Sequence, residues 1–164
     1  MAFNSIDMSI GDTIVGDIIA GDTITGQIYT DGACTPHKIR ELSRAAAGIV
    51  MLDCEGQKAA TISAPVPRHL PQTAPAAEFY AAQLAHKMLR PPATIHTDCL
   101  NVYKAAKALP YINPKSTYVG ALLDINKRNT THMTHWQKVK AHLGPSEPGI
   151  RVADHILRAG NDMA

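Results

Sequence analysis

Short apolar runs bounded by Gly, Pro and Asp predict three strands in the first half of the chain. Residues 26–32 (GQIYTDG) predict a buried strand that ends in a turn. Residues 44–53 (RAAAGIVMLD) and 57–66 (QKAATISAPV) predict a second and a third strand. Glu55 and Gly56 lie between these two strands and predict a hairpin turn, so we expect the strands to pair.

The spacing of apolar residues changes to a helical period after Thr73. From Thr73 to about Leu89, apolar side chains recur every three or four residues, which predicts an alanine-rich helix with one core-facing stripe. Arg90 and the two prolines that follow it end this helix. The stripe consists of Ala77, Ala81, Leu84, Ala85 and Met88.

Strand-like and helical spacing alternate along the rest of the chain. The predicted elements are a strand at 93–98, a helix at 99–109, a helix from Pro114 to about Asn129, a strand at 131–142, a loop at 143–149 and a last helix from Ile150. The complete order is β-β-β-α-β-α-α-β-α. This order predicts a single α/β domain in which helices lie on the faces of a mixed sheet.

The first residues of the chain follow a different pattern, in which GDTIV, GDIIA and GDTIT repeat with a period of five. Gly at every fifth position disfavours a helix and Ile favours extended structure. We therefore expect a linker or strand-like arm, with an oligomerisation element or the remnant of a neighbouring module as alternatives. Residues 1–26 are predicted to form this acidic arm, and residues 27–164 one domain of ordinary size.

Charge divides the chain near the same place, although the formal net charge is only +2. Residues 1–31 contain five Asp and no Lys or Arg, whereas residues 32–164 hold all 16 Lys and Arg against nine acids. The basic part is compatible with a polyanionic partner, because Lys and Arg replace counterions along a phosphate backbone. A basic surface without such a partner agrees with the charge equally well.

Composition excludes several classes of protein. Hydrophobic residues make up 45% of the chain and charged residues 18%, which is typical of a folded globule rather than a disordered chain. No apolar run reaches the roughly 20 residues of a membrane span, and the N-terminus lacks the pattern of a secretory signal. The three cysteines have no metal-ligand spacing and favour reduced thiols. We therefore expect an intracellular protein, cytoplasmic or nuclear, with no membrane partner.

Four acidic residues fall where predicted strands end or predicted helices begin. Asp31 ends the first strand and Asp98 the fourth, while Glu78 and Asp154 lie in the first turns of two helices. If the two strands are parallel neighbours, the four carboxylates meet at one edge of the sheet. Such a cluster repels itself unless cations neutralise it, and its oxygen ligands suit Mg²⁺ or Mn²⁺. Taken singly, Asp98 and Asp154 are also explained as favourable residues at helix N-termini.

Four segments that contain these acids resemble the sequence blocks of the ribonuclease H family. They are IYTDGAC at 28–34, QTAPAAEFYAA at 72–82, TIHTD at 94–98, and WQKVKAH at 136–142 followed by RVAD at 151–154. Their order and spacing match the family, and the resemblance covers roughly residues 27–160. It implies a ribonuclease H-like fold, with a mixed five-stranded sheet and helices on both faces.

The resemblance implies a metal-dependent endonuclease that hydrolyses the RNA strand of RNA–DNA hybrids and leaves 5′-phosphate and 3′-hydroxyl ends. Asp31, Glu78, Asp98 and Asp154 are then catalytic residues and ligands of two Mg²⁺ ions, with Mn²⁺ as a substitute. His142 matches a histidine to which the family assigns proton transfer or product release; a surface histidine without a role is the alternative. The implied partners are the hybrid itself and a polymerase or reverse-transcriptase domain.

Three basic residues near these blocks are candidates for substrate binding, namely Lys138, Lys140 and Arg151. Lys138 and Lys140 share one face of a predicted strand with Trp136, which suggests a surface that follows phosphates while the Trp ring stacks on a base. The alternative is a Trp136 that is part of the core.

The chain departs from the cellular members of the family at positions that distinguish RNA from DNA. TPHKIRELSRAAAG at 35–48 stands where those enzymes carry Gly and Asn, and Ala74 and Pro75 replace asparagines that contact 2′-hydroxyl groups. The pattern therefore resembles ribonuclease H domains of retroelement reverse transcriptases, and the preference for RNA over DNA stays open. The alternatives are a DNA-acting nuclease or strand-transfer domain of the same fold and a catalytically silent module of a polymerase assembly.

Overall fold

The computed structural model describes residues 26–52, 55, 58–88, 92–109, 111–128 and 134–139. In these residues the elements follow the predicted order from the first strand to the fifth. They are β1 (Gln27–Thr35), a 3-10 turn (Arg40–Leu42), β2 (Arg44–Leu52), β3 (Lys58–Pro65), α1 (Ala74–Met88), β4 (Ala93–Thr97), α2 (Leu100–Lys107), α3 (Val119–Arg128) and β5 (Thr134–Lys138). Residues 1–25 of the predicted arm and the helix predicted from Ile150 lie outside the described residues.

The sheet has the strand order β3-β2-β1-β4-β5, which places β1 at its centre. β1 pairs antiparallel with β2, and β2 with β3, as the predicted hairpin requires. β4 pairs in parallel with both β1 and β5. Parallel neighbours need a crossover connection, and α1 lies in the connection that leads to β4. This mixed five-stranded sheet confirms the predicted fold class.

Alanine residues allow α1 to pack closely on the sheet. The isoleucines beneath the helix, among them Ile28 on β1 and Ile49 on β2, are almost completely inaccessible to solvent. The buried members of the predicted apolar stripe are Ala77, Ala81, Leu84 and Ala85. The side chain of Met88, the last member of the stripe, lies outside the described part of the chain.

α1 packs against α3 and against Tyr118, the residue that precedes it. Leu122 and Ile125 of α3 are buried, and the Phe79 ring stacks on the Tyr118 ring with 4.3 Å between their centroids. Asp124 accepts a hydrogen bond of 2.5 Å from the Gln83 side-chain amide, and its carboxylate lies 3.8 Å from the Lys87 ammonium group. Within the described residues, no helix is long and apolar enough to cross a membrane.

The start of α3 and the end of β5 differ from the prediction. α3 begins at Val119 rather than at Pro114, because the residues between them form turns in which Asn113 Oδ1 and Ser116 Oγ accept hydrogen bonds from nearby backbone N–H groups. Such local bonds compete with a helix. β5 ends at Lys138, before the predicted end at His142.

Trp136 belongs to the core. Its side chain is buried, and its ring lies nearly parallel to the ring of His86 on α1, with 6.5 Å between the centroids. Strand alternation turns Trp136 toward the helix-covered face, while His135 and Gln137 are exposed. The structure therefore selects the core alternative, and the Trp ring is not available to stack on a base.

Candidate metal centre

Asp31, Glu78 and Asp98 converge at one edge of the sheet. Each offers a carboxylate oxygen, and the three oxygens lie within 4.8 Å of one another. All three residues are partly buried. Asp98 directly follows β4, and the parallel pairing of β4 with β1 places it beside Asp31. The structure thus brings together three of the four predicted carboxylates, whereas Asp154 lies outside the described residues.

Asp31 lies inside β1, not at its end as predicted. The parallel ladder to β4 stops at the Thr30–Thr97 pair, but the antiparallel ladder to β2 continues through the Asp31–Gly48 pair to Thr35. β1 therefore extends beyond its parallel neighbour, and Asp31 is its first residue past that neighbour. The Asp-Gly sequence suggests a turn, but long-range pairing with β2 keeps these residues in the strand.

Gly32 allows the backbone of α1 to touch β1. A Cβ atom at this position would lie 2.3 Å from the Glu78 backbone nitrogen and 2.6 Å from the Ala77 carbonyl carbon. Contacts this short do not occur in proteins, so any side chain at Gly32 would push the helix away from the strand. The missing side chain thus brings Glu78 next to the residue that precedes Gly32, which is Asp31.

Glu78 begins the second turn of α1, not the first turn as predicted. The helix starts at Ala74, and Thr73 caps it: the Thr73 carbonyl accepts a hydrogen bond from the Ala77 N–H, and Thr73 Oγ1 accepts one from the Ala76 N–H. This later position does not remove Glu78 from the cluster, because the close contact at Gly32 occurs at this turn.

Two buried threonines hold the strands on either side of Asp31 and Asp98. Thr30 donates its hydroxyl hydrogen to the carbonyl of His96, which joins β1 to β4 next to both acids. Thr97 accepts a hydrogen bond from the backbone N–H of Cys99 and so shapes the turn that contains Asp98. Buried bonds of this kind keep a ligand-bearing backbone in place.

The three carboxylates repel one another, and the effect is largest at Glu78. Burial, followed by the negative charges of Asp31 and Asp98, raises the pKa of Glu78 to about 9. Its Oε2 atom is buried and has no hydrogen-bond partner among the described residues. Burial also raises the pKa of the neighbouring Cys99 thiol. A carboxylate oxygen that is buried without a donor is suited to accept a cation.

The chemistry of this donor set fits a hard divalent cation. Carboxylate oxygens are the ligands that Mg²⁺ and Mn²⁺ prefer, and the distances among the three residues allow them to share one ion. No His or Cys belongs to this group of three. The residues present therefore match the predicted kind of metal.

Of the predicted substrate-binding residues, Lys138 lies in the described part of the chain. It is exposed at the end of β5, where it pairs in register with Thr97, the residue before Asp98. Its ammonium group donates to the carbonyl of Val139. The structure does not describe Lys140, Arg151 or the predicted catalytic His142.

Three residues that shape this site, Gly32, Thr30 and Thr97, were not predicted from the sequence. Gly32 carries a weak signal, since glycine inside a strand often marks a close approach of another backbone. The threonines carry none, because Thr is common in strands for reasons unrelated to any site.

The sequence model of the RNase H family matches residues 25–162. The solution structure of the prototype foamy virus RNase H domain is 22% identical, with a TM-score of 0.66, over 84% of this chain and 95% of that chain. The foamy viral protease-reverse transcriptase in complex with an RNA/DNA hybrid is 16% identical, with a TM-score of 0.68, over 84% of this chain and 20% of that chain. RNase H1 from the halophilic archaeon Halobacterium salinarum NRC-1 is 17% identical, with a TM-score of 0.61, over 85% of this chain and 98% of that chain.

At these identities the solved structures establish the fold. The chain spans about a fifth of the length of the foamy virus protease-reverse transcriptase chain that it matches. Comparison with curated proteins found no match. The family model extends over Asp31, Glu78, Asp98, His142 and Asp154.

Proposed function

Because the chain belongs to the ribonuclease H family, we propose that it hydrolyses the RNA strand of RNA–DNA hybrids in a reaction that depends on divalent cations. The observation that carries this proposal is the cluster of Asp31, Glu78 and Asp98, whose oxygens lie within 4.8 Å of one another at the edge of the sheet. A second support is that one similar fold, the foamy viral protease-reverse transcriptase, is described in complex with an RNA/DNA hybrid.

Asp31, Glu78 and Asp98 would hold the cations, with Asp154 as the fourth ligand. Two Mg²⁺ ions, or Mn²⁺ in their place, supply activation of the attacking water and stabilisation of the leaving oxygen when they are bound. Asp31 lies on β1, Asp98 directly follows β4 and Glu78 lies on α1, so these ligands come from both the sheet and the helix. His142 moves a proton or aids product release. The products carry 5′-phosphate and 3′-hydroxyl ends.

In this proposal Lys138 contacts a phosphate of the bound nucleic acid. It is exposed, and its strand β5 pairs with β4, which leads directly to Asp98. The positive charge of the Lys138 side chain would compensate the negative charge of a bound nucleic-acid backbone. Lys140 and Arg151 extend the same contact in this proposal.

The catalytic domain comprises residues 27–164 in this proposal, with residues 1–26 as an acidic arm. A reverse-transcriptase or polymerase domain is the proposed partner, since the foamy virus structure that the chain resembles is a protease-reverse transcriptase. An intracellular location, cytoplasmic or nuclear, agrees with such a partner.

A cleavage assay tests the proposal. Labelled RNA–DNA hybrid, duplex RNA and duplex DNA are incubated with the protein in Mg²⁺, and the 5′ and 3′ ends of the products are analysed. We expect cleavage of the RNA strand of the hybrid, and a decrease on the order of 10³-fold in Asp98→Asn, because one metal ligand is lost. Asp124→Asn is the matched control, since this carboxylate lies on α3 and binds Lys87. Absence of hybrid cleavage, or equal cleavage of hybrid and duplex DNA, contradicts the proposal.

A nuclease that acts on DNA is the second candidate, and one observation favours it. Ala74 and Pro75 are exposed at the start of α1, and neither side chain has a hydrogen-bond donor or acceptor for a 2′-hydroxyl group. The duplex-DNA arm of the same assay distinguishes the two candidates.

A further inference from the structure

Gln72, two residues before α1, uses its whole carboxamide group in hydrogen bonds to the backbone. Its Oε1 atom accepts a bond of 3.1 Å from the Ala45 N–H. Its Nε2 group has two hydrogens and donates them to three carbonyls, those of Val66, Pro67 and Leu70, at 3.1, 3.1 and 3.2 Å, so two of these carbonyls share one hydrogen. A side chain with so many bonds has one orientation, and it holds the loop 66–70 in one conformation.

These bonds attach the start of α1 to the strand that carries Asp31. Ala45 lies on β2, and in the β1–β2 ladder it pairs with Cys34, three residues after Asp31. The Cys34 thiol donates to the backbone carbonyl of Gln72 at 3.3 Å. Gln72 is therefore bonded to both strands of the β1–β2 ladder beyond Asp31.

A second contact, at Gly32, restricts the position of α1 from another direction. The α1 backbone at Ala77 and Glu78 lies so close to Gly32 that a Cβ atom would collide with it. From Ala74 to Glu78 a helix rises only about 6 Å, which leaves little room for adjustment between the two contacts. The position of the Glu78 backbone is thus set by Gln72 on one side and by Gly32 on the other.

From this arrangement we infer that Gln72 is a positioning residue, which sets the distance between the carboxylates of Glu78 and Asp31 and so the affinity of the site for divalent cations. The inference rests on the proposed function for the role of that site. Asp98 does not depend on Gln72, because the β1–β4 ladder and Thr30 hold it beside Asp31. Loss of the Gln72 bonds therefore displaces one ligand of the three.

The experiment compares Gln72→Ala and Gln72→Glu with the wild-type protein. Gln72→Glu keeps the length of the side chain but replaces the N–H donors by a negative charge that faces three carbonyls. Direct binding of Mn²⁺ to the protein without nucleic acid is measured by electron paramagnetic resonance. The Mg²⁺ dependence of hybrid cleavage, KM and kcat are measured separately.

We expect Mn²⁺ binding to weaken about tenfold in both variants, because residues that orient a metal ligand typically contribute 10–100-fold in metal affinity or activity. The Mg²⁺ concentration needed for half-maximal cleavage rises by a similar factor, and KM for the hybrid does not change. A residue that contributed only to stability would leave Mn²⁺ binding at the wild-type value in the folded protein.

Gln83→Ala is the matched control. Gln83 also lies on α1 and also uses its side-chain amide, but it binds Asp124 on α3. We expect this variant to lose thermal stability and to keep wild-type Mn²⁺ binding. If Gln72→Ala does not fold, Gln72→Glu and the milder Cys34→Ala, which removes one bond to Gln72, provide the comparison.

Wild-type Mn²⁺ affinity in folded Gln72 variants overturns the inference, and so does a wild-type protein that binds no Mn²⁺. A wild-type protein that binds Mn²⁺ but cleaves no hybrid contradicts the proposed function alone. In that case the comparison of Mn²⁺ affinities still decides the role of Gln72.

Discussion

The first half of α1 carries Glu78 toward two other carboxylates, whereas Gln83 and Lys87 in its second half pair with Asp124 on α3. At Glu78 a buried oxygen has no hydrogen-bond partner among the described residues, and the pKa is raised to about 9. In the second half of the helix, Gln83 and Lys87 both bind Asp124 on α3. One helix thus combines an electrostatically unfavourable end with a favourable one.

This difference shows how the fold supports a charged cluster. A ligand set for cations is unstable by itself, since each carboxylate raises the pKa of the others. The cost is offset by apolar packing and paired charges elsewhere on the same helix, which hold the backbone in place. We expect changes at the α3 side to affect stability, and changes at the Glu78 side to affect metal binding and catalysis.

The largest effect on stability is expected from Ile125→Ala. Ile125 on α3 is 1% exposed, so truncation leaves a cavity and lowers the free energy of unfolding by about 2–4 kcal/mol. Chemical denaturation measures this change. Cleavage and Mn²⁺ binding are expected to be unchanged under conditions where the variant is folded. Loss of Mn²⁺ affinity in the folded variant would show that the two ends of α1 are not independent.

A smaller effect on stability, combined with an effect on metal binding, is expected from Gly32→Ala. The added methyl group would lie 2.3 Å from the Glu78 backbone nitrogen, so α1 must move away from β1, at a cost of about 1–3 kcal/mol. We expect weaker Mn²⁺ binding and slower cleavage, measured together with the melting temperature.

The control for this variant is Gly120→Ala on α3. A Cβ atom there meets nothing within 4 Å, so the substitution stabilises the helix by roughly 0.5 kcal/mol without an effect on the metal site. Equal metal affinity in Gly32→Ala and Gly120→Ala would contradict the role given to the contact at Gly32.

A further expected effect is a dependence of stability on pH. Because the pKa of Glu78 is raised from 4.5 to about 9, the metal-free folded state holds a proton that the unfolded chain releases. Its stability therefore decreases as the pH rises from about 5 to about 9. Melting temperatures in EDTA are expected to show this decrease in the wild type and a smaller one in Glu78→Gln. Excess Mg²⁺ should reduce the decrease in the wild type, and identical pH profiles for both proteins in EDTA would refute the explanation.

Much of the fold could be predicted from the sequence because the signals are local. The apolar stripe of α1, the hairpin between β2 and β3, and the position of Asp98 at the end of β4 all follow from spacing and turn residues. The predicted boundaries of the helices and strands were less accurate. α3 starts five residues later than predicted, because Asn113 and Ser116 bond to the backbone nearby and form turns instead.

The sequence by itself determined which carboxylates could meet at one edge of the sheet, because residue type and periodicity are properties of neighbouring positions. The tertiary structure decided three further points: that β1 continues past Asp31, that α1 touches β1 at Gly32, and that Gln72 bonds the start of the helix to β2. Each depends on atoms that are distant along the chain and meet only when sheet and helix pack. For the same reason the raised pKa of Glu78 is a property of the folded protein, since burial and the carboxylates of Asp31 and Asp98 act on it only there.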